Sequence, residues 1–155
     1  MKKILSLVLI IVLISATQSA FASTTITPTE IEYLPDGSCF VTVIEDVHPS
    51  GLQPLSSNTA TKSKTTYYKN SAGKVMWWVK VTGTFTYGNG TSKCASAKGS
   101  AASENANWKV SNITDSKSGN SASATATGTQ YLDGKVLSRL TKTVTLKCSS
   151  TGVFS

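Results

Sequence analysis

Few side chains in this chain of 155 residues can do acid–base, nucleophilic or metal chemistry. There is one histidine, there are three cysteines, and aspartate and glutamate together number eight. His48 stands before Pro49 at the head of the segment HPSGLQPLSSNTATK. A Ser/His/Asp or Cys/His centre needs its imidazole held rigidly between a nucleophile and an orienting group. A Pro/Gly/Ser-rich loop is a poor holder. Glu45 and Asp46 are neighbours in a strand-like run, so they point to opposite faces and do not form an acid–base pair across a glycosidic bond. Glu104, Asp115 and Asp133 fall at predicted strand ends or turns, and Asp133 is accounted for by an Asp-Gly hairpin turn with Gly134. The cysteine spacing fits no zinc pattern. Gly88-Asn89-Gly90 reads as a hairpin rather than a phosphate cradle. Residue supply therefore argues for a non-enzymatic protein without metal or cofactor.

The other chemistry in view is recognition by aromatic rings and lysines. Tyr67, Tyr68, Lys69, Trp78 and Lys80 fall within one predicted hairpin, with Lys74 at its turn. Residues 75–87 read VMWWVKVTGTFTY. Val75, Trp77, Val79, Val81 and Phe85 alternate with Met76, Trp78, Lys80, Thr82 and Thr84, the period of a strand with one buried face. If Trp77 is buried, Trp78 faces the other way. A solvent-side tryptophan beside tyrosine and lysine is a platform for a sugar ring or an interfacial anchor. The competing reading buries this strand on both sides between two layers.

Cys94 and Cys148 sit where strand-like runs end, 54 residues apart. In an oxidising compartment they are the expected disulfide, which closes a loop worth roughly 4 kcal/mol. Cys39 is then left free, buried as a small hydrophobe, or available for an intermolecular bridge. Cys94, Trp108 and Cys148 together resemble the Cys…Trp…Cys arrangement of immunoglobulin domains. However, Leu146 occupies the place of that family's tyrosine, and only residues 149–155 follow Cys148. The spacing points to a two-sheet sandwich, not to a true immunoglobulin domain.

The elements that must position these residues are all β. Residues 38–47, 65–69, 75–87, 93–103, 108–115, 121–132 and 135–148 read as strands, separated by Asn70–Gly73, Gly88–Gly90, Gly119-Asn120 and Asp133-Gly134 turns. Ala122, Ala124 and Ala126 alternate with Ser123, Thr125 and Thr127, a small inner line that lets a partner sheet come close. Trp77 and Trp108 are the natural fillers. No 3.6-residue apolar stripe follows residue 22. The expected fold is an all-β antiparallel sandwich, or small barrel, of six to eight strands.

Met1-Lys2-Lys3, an apolar run over residues 4–14 and Ala20-Phe21-Ala22 read as a secretory signal peptide over residues 1–22. Residues 23–47 form an acidic arm with one strand, extended or loose over residues 23–32, 48–62 a linker, and 63–155 a basic body. The arm and the start of the linker carry five acids and no base. The remainder carries thirteen lysines and arginines against Glu104, Asp115 and Asp133, a net +10. Opposite charge suggests that arm and body lie together.

A secreted basic body points to an anionic cell-wall polymer, a glycan or a membrane surface as partner, and away from nucleic acid. The runs KTTYYKNSAGKVMWWVKVTGTFTY and LTKTVTLKCSSTG resemble small secreted proteins of low-GC Gram-positive bacteria. That resemblance implies a compartment and an organism type but no mechanism. The resulting expectation is an extracellular or cell-surface-associated binding module. The alternative is a cationic antimicrobial or toxin-like effector, its basic body shielded by the acidic arm.

Overall fold

The computed structural model describes residues 29–47 and 58–155. The expected signal peptide, His48 and most of the expected linker lie outside the described residues. Eight strands form two antiparallel sheets, and no helix occurs among the described residues. The larger sheet has the order β1-β2-β3-β4-β5 and the smaller β6-β7-β8. The strands are β1 Glu30–Tyr33, β2 Cys39–Asp46, β3 Thr59–Lys69, β4 Val75–Gly88, β5 Thr91–Ser103, β6 Trp108–Ser118, β7 Ser121–Leu132 and β8 Lys135–Lys147. The sheets pack as a sandwich and do not close into a barrel. Each is a meander of sequence neighbours, so the Greek-key order of an immunoglobulin domain is absent.

Two boundaries differ from expectation. A strand begins at residue 30 rather than 38: residues 30–33, which fall mostly in the stretch expected extended or loose, pair with β2 from Glu30↔Thr42 to Tyr33↔Cys39. β3 starts at Thr59, inside the expected linker, because the long β4 takes a partner along its whole length, from Thr59↔Thr86 onward. The Ser/Thr content that suggests a linker is equally suited to a strand, since threonine is β-branched.

Alternation sends Trp77, Val79, Val81 and Phe85 inward, and all four are fully buried. Phe40 of β2 and Tyr68 of β3 stand in the same cross-strand row as Trp77. Phe40 meets Trp77 edge-on at a centroid distance of 6.1 Å, and Tyr68 meets Trp108 at 5.1 Å. Such aromatic pairs contribute about 0.5–1.5 kcal/mol beyond their area. From the other sheet come Ala122, Ala124, Ala126, Val144 and Leu146. The outward face of β7 and β8 carries a hydroxyl ladder, Ser123–Thr145, Thr125–Thr143 and Thr127–Thr141, at 2.7–2.9 Å.

The small inner line does more than make room. A Cβ on Gly128 would lie 2.5 Å from the indole Nε1 of Trp77. One on Gly83 would lie 2.5 Å from the Phe85 ring and 3.0 Å from Ala122. The largest core side chain thus lies across a strand whose backbone is bare at that point.

The acidic segment is built into the sandwich rather than appended to it. Phe40, Val41 and Val43 are buried, and Thr42 and Thr66 share a buried hydroxyl hydrogen bond of 2.9 Å. Lys142 pairs with Glu32 while its ammonium lies 4.5 Å from the Phe40 ring centroid, and Lys62 pairs with Asp46.

The expected disulfide is not formed: Cys39, Cys94 and Cys148 are all free. Cys94 belongs to the five-stranded sheet, and its backbone N–H donates to Gly119 O at 2.8 Å. The Cys148 N–H instead donates to Asn120 O at 3.1 Å, extending the smaller sheet. Each backbone is anchored to a different residue of the β6–β7 turn. The thiols turn away to nearby carbonyls, Cys94 Sγ to Ser96 O at 3.2 Å and Cys148 Sγ to Ser149 O at 3.4 Å. Burial pushes the Cys94 thiol pKa up, and Lys117 offsets this in part. Half-buried Cys39 is therefore expected to react first with a thiol reagent in the native protein. Denaturation without reductant is expected to expose three thiols in mass-resolved alkylation, and a count of one would restore the bridge.

Candidate functional site

The expected site is the outward face of the five-stranded sheet. Pairing places Ile31, Val41, Tyr67, Trp78 and Ala102 in one row across β1 to β5. Alternation alone puts Trp78 there, because Trp77 is committed to the core. Trp78 is half-buried, whereas Trp77 lies fully buried against the smaller sheet. Its indole N–H donates to Glu104 Oε1 at 3.0 Å, and Lys80 Nζ lies 5.7 Å from its ring centroid. One edge of the indole is thereby fixed by a carboxylate and one face carries a cation, worth about 0.5–1 kcal/mol at such a site. The ring is thereby held in a defined pose.

Tyr67 is the direct cross-strand neighbour of Trp78 and is also half-buried. Burial raises its phenol pKa, the negative charge of Glu45 adds to this, and the Thr65 hydroxyl partly opposes it. The phenol therefore stays protonated, and available as a donor, through neutral and mildly alkaline pH. Lys69 follows Tyr67 on the same face, paired with Cys39. Val43, Ser63 and Thr65, also on this face, are buried, which leaves Tyr67, Trp78 and Lys80 as its partly open side chains near the row's centre.

Tyr68 is the correction. It is buried and packs against Phe40, Trp77 and Trp108, so it belongs to the core and not to the platform. Adjacent residues of a strand face opposite ways, and Tyr67 and Tyr68 cannot serve one surface. Glu104 is the residue that sequence reasoning missed. It lies 26 positions after Trp78, just beyond β5, where its backbone N–H donates to Met76 O at 2.9 Å. No local pattern announces that contact.

With Lys69, Lys80 and Lys98 against Glu45 and Glu104, this face carries both signs of charge, with lysines in slight excess. Among the described residues, no three His, Cys, Asp or Glu side chains gather closely enough to hold a metal. The two Asn-x-Thr triplets begin at Asn89 and Asn112, both exposed and both in the left-handed backbone region, the first in a turn and the second in a bulge. Comparison with known proteins finds no matching family model, no similar curated protein and no similar solved structure.

Proposed function

We propose that this protein is a secreted, non-enzymatic binding module that holds a glycan on the outward face of its five-stranded sheet. The observation that carries this reading is the Tyr67–Trp78 cross-strand pair, with the indole fixed by Glu104 and Lys80. A pre-positioned aromatic ring beside mixed hydrogen-bonding groups suits the apolar face and hydroxyl rim of a sugar. Two carboxylates interspersed with the lysines favour a hydroxyl-rich ring at this place over a highly anionic one. Secretion rests on the Lys2-Lys3 start, the apolar run and the Ala20-Phe21-Ala22 site.

The alternative, a cationic antimicrobial or toxin-like effector, requires an acidic segment that can come away from the body. Phe40, Val41 and Val43 tie that segment into the core, which removes the motive for a detachable shield.

Sedimentation with insoluble cell-wall and polysaccharide preparations tests the reading. Trp78→Ala is expected to weaken retention at least tenfold while leaving the unfolding midpoint within a few degrees, because the side chain is only half-buried. Unchanged retention in a folded Trp78→Ala protein would show that the platform is not the site.

A further inference from the structure

On the Trp78 face lysines are interspersed with glutamates, but at one end of the sandwich lysines stand without them. There the β4–β5 and β6–β7 turns border a cleft of about 590 Å3. Lys93 and Lys117 line it together with Ser92, Ser118, Asn89 and Tyr87, and no carboxylate is among its lining residues. Neither lysine forms an ion pair among the described residues. Lys117 gives one hydrogen bond to Ala95 O, which leaves two of its N–H groups unused. The Ser92 hydroxyl oxygen is buried and has no hydrogen-bond partner among the described residues.

Unsatisfied buried hydroxyls are uncommon, and each costs about 1–3 kcal/mol unless something binds it. Lys93 and Lys117 are both exposed, so their charges are hydrated and open to a ligand in the cleft. The cleft is also pre-formed. The Cys94 N–H to Gly119 O bond ties the two turns together at 2.8 Å, and the Asn89-Gly90 turn is fixed by the left-handed backbone of both residues. On the Tyr87 side, Gly152 packs so close that a Cβ there would lie 2.8 Å from the ring's Cζ, which holds the tyrosine in place.

We propose that this cleft is a second binding site, distinct from the Trp78 platform, for an anionic sugar unit: one ring bearing a carboxylate or a phosphate. Lys93 and Lys117 take the oxyanion, the Ser92 and Ser118 hydroxyls and the Asn89 amide bond to it or to the ring hydroxyls, and Tyr87 offers its ring to the apolar sugar face. The volume is in the range that small-ligand sites occupy, about 300–1,000 Å3.

The test is titration of the whole folded protein with glucuronate, glucose 6-phosphate, glucose and inorganic phosphate, followed by backbone amide shifts. Saturable shifts confined to the two turns are expected for one or both of the charged sugars, and the pair shows whether carboxylate or phosphate is preferred. Glucose is expected to cause none. Lys93→Gln combined with Lys117→Gln should weaken the charged sugars at least tenfold with an unchanged unfolding midpoint, because both lysines are exposed, and Ser92→Ala should weaken them severalfold with an equal or higher midpoint, because it removes an unsatisfied buried hydroxyl. Trp78→Ala should leave this binding intact, so that failure of the platform and failure of the cleft are told apart. Three results overturn the proposal: no saturable shift with either charged sugar, binding indifferent to the double lysine variant, or inorganic phosphate binding as tightly as the sugars.

Discussion

Gly128→Ala is expected to destabilise the protein by about 3 kcal/mol, a large effect for one methyl group. The added carbon would lie 2.5 Å from Trp77 Nε1, well inside van der Waals contact. Neither partner yields easily. Trp77 is fully buried and fenced by Phe40 and Tyr68, and Gly128 sits in the central strand of its sheet, paired on both sides with Val110 and Leu140. The indole N–H is buried without a partner among the described residues, so the site already bears a polar cost that the indole's apolar area must offset. A loss of that size lowers the unfolding midpoint by roughly 10 °C for a domain of this length. The mechanism is separable from loss of glycine as such. In a Trp77→Leu background the clash partner is gone, and the Gly128→Ala penalty should fall below about 1 kcal/mol. A Gly128→Ala protein that melts within two degrees of the parent would show that the sheets do not pack as described.

The second large effect concerns the acidic N-terminal strands. A chain that begins at residue 58 keeps the whole basic body of the sequence and is nevertheless expected to be unfolded. It lacks Phe40, whose removal alone by Phe40→Ala is worth about 3–5 kcal/mol. It also lacks buried Val41 and Val43, the Thr42–Thr66 hydrogen bond and the ladder that β2 forms with β3. Together these are of the same order as the 5–15 kcal/mol by which domains are ordinarily stable. Amide-shift dispersion and a denaturant titration decide the matter. A cooperative transition in the truncated chain would mean that residues 63–155 fold alone, with the acidic segment as an accessory.

The second expectation shows how charge misleads about architecture. The acidic and basic segments differ in sign, and a Pro/Gly/Ser-rich stretch separates them, so composition suggests two units. Charge, however, lies on the exposed ends of side chains, whereas membership of a fold is decided by what is buried. The apolar run of β2 already contained that information, since Phe40 and Ile44 alternate with Val41 and Val43 in a strand with two usable faces. What the run could not say is which neighbour each face meets.

The candidate site divides in the same way. Trp78 facing outward follows from period-two alternation once Trp77 is inward, and Tyr67 and Tyr68 must part for the same reason. Grouping both tyrosines with Trp78 relied on nearness in sequence, which does not respect strand faces. Glu104 was illegible, because its contact with Trp78 depends on how β5 ends beside β4. The cleft at the turns was illegible too, since Lys93, Lys117 and Ser92 meet only when two hairpins from different sheets are brought together.

By itself, the chain's alternating pattern and turn residues determined an all-β protein, most strand positions and the inward set Trp77, Val79, Val81 and Phe85. These are local properties, repeated every two residues and punctuated by glycine and asparagine, and they need no knowledge of distant partners. Only the tertiary structure decided the parity of Cys94. Strict alternation puts it with Ser96 and Lys98, but the register shift between Thr84 and Phe85 pairs Ser96 with Thr84 and Cys94 with Phe85, leaving Ala95 as the extra residue and turning the thiol inward. A bulge adds one residue to one strand and flips every face beyond it. Its position is set by how two sheets fit around Phe85 and Trp77, and that fit is a property of the packed molecule.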